Sequence, residues 1–143
     1  MVTNNQKIKT EDFAKTYGQF FENIAEDKID DLNALCKNNI FFQDPFNCFT
    51  GIDKFKKVFL HMYKQAKNPK FSIIDISVSD NTAYMKWNFL NGKLKIEGVS
   101  EIKFNDEGLV ISHIDYWDSA SQILIKIPIL KYLIRYIMKK FSI

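Results

Sequence analysis

His113 and Asp115, two positions apart in the run Leu109–Asp118, are the side chains of this sequence best suited to moving a proton. The run alternates as a β-strand does, so both share one face with Trp117, ~6.5–7 Å apart along the chain. At that spacing they touch directly or through an intervening water or substrate. Imidazole is the side chain most readily tuned across neutral pH. The same face is expected to include Leu109 and Ile111, and an unpaired charge among them is costly. Two readings stay open: a buried pair that satisfies itself inside a sheet, and a poised acid–base couple.

A second carboxylate, Asp44, ends the apolar run Ile40-Phe41-Phe42-Gln43 just before Pro45. Phe41, Phe42, Phe46 and Phe49 would desolvate it and make it a stronger base, which fits a proton acceptor working near neutral pH. An Asp in that place also caps turns. Ser100 has no neighbouring base or nucleophile-elbow glycines, so its hydroxyl is read as a hydrogen-bond donor. His61 falls on the outer side of a helix and reads as a surface histidine. One inward histidine with scattered carboxylates, and no HExxH, points to no metal. Cys36 and Cys48 lack CxxC spacing, so no zinc site or disulfide framework is indicated, and a reducing cytoplasm fits best.

Period and punctuation outline the elements that must hold these groups. Phe13, Tyr17, Phe20, Phe21 and Ile24 form a helical stripe over 10–26, with Thr10 as N-cap. Ile29, Leu32 and Leu35 predict a shorter helix over 28–38, and Ile52, Phe55, Phe59 and Met62 a third over 51–65. A strand is expected at 40–44, stopped by Pro45. After Pro69 the period becomes two. Strands are expected at 70–79, 82–90, 93–105 and 109–118, joined by turns at Asp80-Asn81, Asn91-Gly92 and Asp106-Glu107-Gly108. The alternation turns Met85, Trp87 and Phe89, and Ser100, Ile102 and Phe104, inward.

The length of 143 residues, 46% of them apolar, suits one domain with one core, 1–143. Thirteen Phe, six Tyr and two Trp supply either a thick core or the walls of a cavity. Charges are interspersed, which gives no nucleic-acid groove. The tail is the exception: Lys126, Lys131, Arg135, Lys139 and Lys140 have no acidic neighbour. This segment, about 119–143, reads as helical on both sides of Pro128. It would pack over the sheet or across a dimer contact, or lie on an anionic membrane surface. The first twelve residues show no apolar leader, and no stretch is long enough to span a membrane.

Helix, helix, strand ending in Asp44-Pro45, helix opening at Gly51-Ile52, then a meander closing on His113-Ile114-Asp115-Tyr116-Trp117 resembles the nuclear transport factor 2-like superfamily over about 10–118. That superfamily includes ketosteroid isomerases and SnoaL-like cyclases. The resemblance implies an α+β cone, a curved mixed sheet with three N-terminal helices on its concave face, and a homodimer. It implies a cofactor-independent isomerase, cyclase or hydratase acting on a small hydrophobic molecule; the altered donor positions given next and the basic apolar tail leave open a non-catalytic carrier of a lipid-like ligand. Asp44 matches the isomerases' base. The donor tyrosine of those enzymes falls on Phe20, with Tyr17 one turn away, and the second donor on Ser100. Asp115 resembles the late-strand acid of the cyclases, with His113 as its partner. In a hollow cone Phe42, Met85, Trp87 and Trp117 join Tyr17, Phe20 and Ser100 as substrate contacts.

Overall fold

The computed structural model describes residues 4–142, so residues 1–3 and 143 of the expected domain lie outside the described residues. The element order is α1 (Asn4–Glu22), a 3₁₀ turn (Glu26–Asp31), α2 (Leu32–Leu35), β1 (Cys36–Gln43), β2 (Cys48–Thr50), α3 (Ile52–Gln65), β3 (Lys70–Ser79), β4 (Thr82–Asn91), β5 (Leu94–Phe104), β6 (Val110–Trp117), α4 (Ser119–Gln122), a 3₁₀ turn (Leu124–Lys126) and α5 (Pro128–Phe141). Six strands form one curved, unclosed sheet in the order β2-β1-β6-β5-β4-β3. β1 runs parallel to β6, and every other neighbour is antiparallel. This is the α+β cone that the element order implies, with α1 against β3–β5 and α3 against β1 and β2.

The meander follows the expected bounds to within one residue, because strong alternation and glycine turns leave little choice of register. Asp80, Gly92 and Gly108 take the positive φ that those turns require. Three N-terminal expectations are corrected. Thr10 is not an N-cap: α1 begins six residues earlier, through a segment in which Gln6, Lys7 and Lys9 favour helix, and the Thr10 hydroxyl donates to the Gln6 carbonyl inside it. The helix expected over 28–38 is a 3₁₀ turn followed by one α-turn, and its apolar spacing of three, Ile29, Leu32, Leu35, is the 3₁₀ period. β1 starts at Cys36 rather than at residue 40, because Cys36 pairs with Val110 across the parallel ladder.

β2 has no strand signal of its own. It forms because Asp44-Pro45-Phe46-Asn47 folds into a hairpin turn: the Asp44 Oδ1 atom accepts the N–H groups of Phe46 (2.8 Å) and Asn47 (2.6 Å). The Asp44 N–H closes the turn on the Asn47 carbonyl at 2.9 Å. Asp44→Ala is expected to lower stability by about 1–2 kcal/mol through the opened turn, measured by urea unfolding.

The last strand carries a further correction. Phe104 pairs with Val110 and Lys103 with Ser112, so Ile111 is an extra residue, a β-bulge. The bulge shifts the parity: Val110 is fully buried on the inner face and Ile111 is exposed. Leu109 and Ile111 therefore do not share the face of His113 and Asp115. Behind them lies the core of Tyr17, Leu32, Ile40, Phe42, Phe55 and Phe104, all essentially inaccessible.

Candidate active site

Ser100 on β5 and Asp115 on β6 are cross-strand partners, as are Ile102 and His113, so the pleat sets three polar side chains side by side on the inner face. Tyr17 reaches them from α1. The Tyr17 hydroxyl lies 2.8 Å from His113 Nδ1, and His113 Nε2 lies 2.8 Å from Asp115 Oδ1. The Ser100 hydroxyl donates to the same Asp115 Oδ1, and the Trp87 indole N–H donates to Ser100 Oγ at 2.7 Å.

The chemistry of the donors fixes the direction of this chain. An indole N–H only donates, so Ser100 accepts from Trp87 and passes its own proton to Asp115. A carboxylate only accepts, so His113 presents Nε2–H to Asp115 and leaves Nδ1 to accept from Tyr17. Asp115 thus receives two donors on Oδ1, while Oδ2 takes no hydrogen bond from the described residues and is not sealed from solvent.

Packing holds the imidazole still. His113 is 4% exposed, and the rings of Tyr17, Phe21, Phe42 and Phe55 stand around it at centroid distances of 5.4–5.7 Å. Gly98 positions the other end. It pairs directly with Trp87, and a Cβ there would come within 2.5 Å of the indole Cζ2. The bare backbone lets the indole lie across β5 and reach Ser100. Gly98→Ala is expected to cost about 1–3 kcal/mol by overpacking and to shift the Trp87 fluorescence as the ring leaves Ser100.

Burial also pushes the Tyr17 hydroxyl well above its ordinary range, with the Cys36 thiol beside it and the Asp115 charge adding to the effect. Burial pushes the Cys36 thiol itself up to about 12, against a smaller opposing contribution from its hydrogen bond with Tyr17. Both groups hold their protons more tightly folded than unfolded. Their stabilisation is complete below about pH 9, where the unfolded thiol stays protonated, and is lost as pH rises towards the folded values. Stability measured by urea melts is expected to fall above pH 9 by up to ~1.4 kcal/mol per pH unit, and more steeply once unfolded tyrosine ionises. Cys36→Ala removes the first part of that fall. At mildly alkaline pH, thiol reagents are expected to modify exposed Cys48 and to spare buried Cys36 until the chain unfolds.

Next to this chain is a cavity of about 60 Å³, room for about two waters. Tyr17, Ser100, His113 and Asp115 supply its polar wall, and Phe21, Phe59, Phe71, Ile73, Met85, Trp87 and Ile102 the rest. The structure therefore brings together Tyr17, Met85, Trp87, Ser100, His113 and Asp115 of the residues expected from sequence. Asp44 does not join them. Its carboxylate is occupied by the β1–β2 turn and the Asn47 side chain, outside the cavity lining. Trp117 packs on Phe46 at 5.5 Å, Phe20 against Phe21 at 5.1 Å, and Phe42 backs the imidazole; none of the three lines the cavity. Tyr17 and Ser100 orient the Asp–His pair, and their hydroxyl protons are already committed to it.

Cys36 and Phe71 are the participants that sequence reasoning missed. Phe71 and Ile73 alternate on β3 and carried the signal; Cys36 sits in a polar stretch that gave none. Among the described residues no cluster of three or more His, Cys, Asp or Glu side chains is arranged to hold a metal ion.

Comparison with known proteins places the fold. The SnoaL-like domain family matches residues 17–113. A candidate SnoaL-like polyketide cyclase from Jannaschia sp. CCS1 superposes with a TM-score of 0.70 at 7% identity, over 85% of this chain and 93% of its own. A candidate ketosteroid isomerase from Kribbella flavida gives 0.63 at 17% identity, over 79% and 80%. An LEH-like epoxide hydrolase of Mycobacterium tuberculosis gives 0.62 at 12% identity, over 81% and 87%. Identities this low carry the fold alone. No curated protein sequence matches the chain.

Proposed function

The chain belongs to the SnoaL-like domain family, and from that membership we propose that it is a small-molecule enzyme working by cofactor-independent proton transfer. The reaction is an isomerisation, cyclisation or hydration of an apolar substrate. The observation that carries the reading is Asp115: one oxygen is clamped by Ser100 and His113, the other takes no hydrogen bond from the described residues, and the residue lines a cavity whose remaining walls are largely apolar. A carboxylate oriented on one side and free on the other is built as a base. His113 supplies the compensating partner. When Asp115 has taken a proton from carbon or water, the apolar walls of the cavity slow its loss to solvent and favour its return to a second position.

The cavity volume bears on the substrate. About 60 Å³ admits the reacting end of a molecule, far below the several hundred Å³ that enclose a lipid-like ligand. A cavity of this size encloses no lipid-like ligand and so gives the apolar carrier no support. The scaffold relatives point the same way: their names include an isomerase, a cyclase and an epoxide hydrolase.

The test is solvent-deuterium incorporation into a panel of small enolisable ketones, followed by NMR. Exchange that depends on Asp115 and survives Asp44→Ala supports the reading. Exchange lost with Asp44→Ala in a folded protein, or retained in Asp115→Asn, overturns the assignment of the base.

A further inference from the structure

The mechanism leaves one element without a role. Beyond the 3₁₀ turn that leads into it, α5 has no extensive packing against the described body, and its apolar side chains stand in the open: Leu133 is 57% and Phe141 82% exposed. At 100° per residue, Leu130, Leu133, Ile134, Ile137, Met138 and Phe141 fall on one side of the helix. Lys131, Arg135 and Lys139 fall on the other, with Tyr132 and Tyr136 beside them. The segregation continues at the level of the chain. No acidic residue follows Asp118, whereas the rest of the protein carries seventeen acidic against fifteen basic residues.

Charge decides what covers this face. A second copy of the helix would cover the apolar stripe but leave the basic side chains with no carboxylate to pair them, and a nucleic acid would leave the apolar stripe unused. An anionic lipid surface satisfies both faces at once. With fourteen residues, α5 is about 21 Å long, short of the ~30 Å hydrocarbon core, so it lies on a bilayer and does not cross it. Among the described residues no helix is long and apolar enough to cross. The root of the tail is fixed: Asp118 caps α4, and the Gln122 side chain accepts from the Glu97 N–H at 2.6 Å and donates to its carbonyl at 3.1 Å.

We infer that α5 is a reversible anchor that lays the domain on the surface of an anionic phospholipid bilayer. It holds the protein by a short tether from β6, the strand that carries His113 and Asp115. The test is flotation of the full chain with vesicles of phosphatidylcholine alone or with about a third phosphatidylglycerol. Binding is expected at least about tenfold tighter to the anionic vesicles and to weaken with salt. Ile137→Glu is expected to abolish it, and Arg135→Gln with Lys139→Gln to weaken it about thirty-fold. All three positions are exposed, so unchanged thermal melts separate lost binding from lost fold. Equal binding to both vesicles, or none, overturns the anchor. So does a dimer seen by light scattering that Ile137→Glu dissociates without any vesicle binding, which assigns the face to a second copy.

Discussion

Asp115→Asn is expected to slow proton transfer by about 10²–10⁴-fold, the usual contribution of a positioned general base, while leaving the fold nearly unchanged. The amide keeps the shape of the carboxylate, and its oxygen still accepts from Ser100 and from His113. What it loses is the basic Oδ2 atom of a residue that lines the cavity. The check is a rate of deuterium incorporation set against a thermal melt. A large loss of rate with little loss of stability separates a catalytic role from a structural one. Equal losses in both would make Asp115 a structural residue.

His113→Ala is expected to destabilise the protein by about 3–5 kcal/mol. Two costs combine. The substitution empties a site packed by four aromatic rings, and large-to-small changes in such cores are expensive because the walls collapse only partly. It also strips partners from the buried Tyr17 hydroxyl, which is 1% exposed, and from one side of Asp115. Asp115 is partly accessible and recovers hydrogen bonds from water, whereas Tyr17 retains only the neighbouring Cys36 thiol. Chemical denaturation measures the loss. A cost below about 1 kcal/mol would mean that the aromatic shell does not hold the imidazole as described.

The inner face of the meander was legible because alternation specifies it: Met85, Trp87, Ser100 and Ile102 sit where the period puts them. His113 and Asp115 were legible for the same reason, although the bulge at Ile111 reversed the residues expected beside them. A bulge leaves no mark in the hydrophobic pattern, since Val110 and Ile111 are equally apolar. Asp44 shows the limit of local chemistry. Phenylalanines on both sides suggest a desolvated base, but Phe46 points to solvent at 59% exposure and the turn claims the carboxylate. Trp117 fails similarly, because the strand end turns its indole onto Phe46 rather than into the cavity. The size of the cavity had no sequence signal, since the same aromatic residues either line a hollow or fill it. Here Phe21, Phe59 and Phe71 line a hollow of only about 60 Å³.

The polar chain has one direction and ends with two donors on one oxygen of Asp115. ¹⁵N NMR of the imidazole tests it most directly. The chain has two histidines, and exposed His61 serves as the internal comparison. The imidazole of His113 is predicted to carry its proton on Nε2, towards Asp115, with Nδ1 accepting from Tyr17 and perturbed by Tyr17→Phe. A proton on Nδ1 with a bare Nε2, or averaging between tautomers like that of a solvent-exposed ring, would leave Asp115 without its donor and contradict the account.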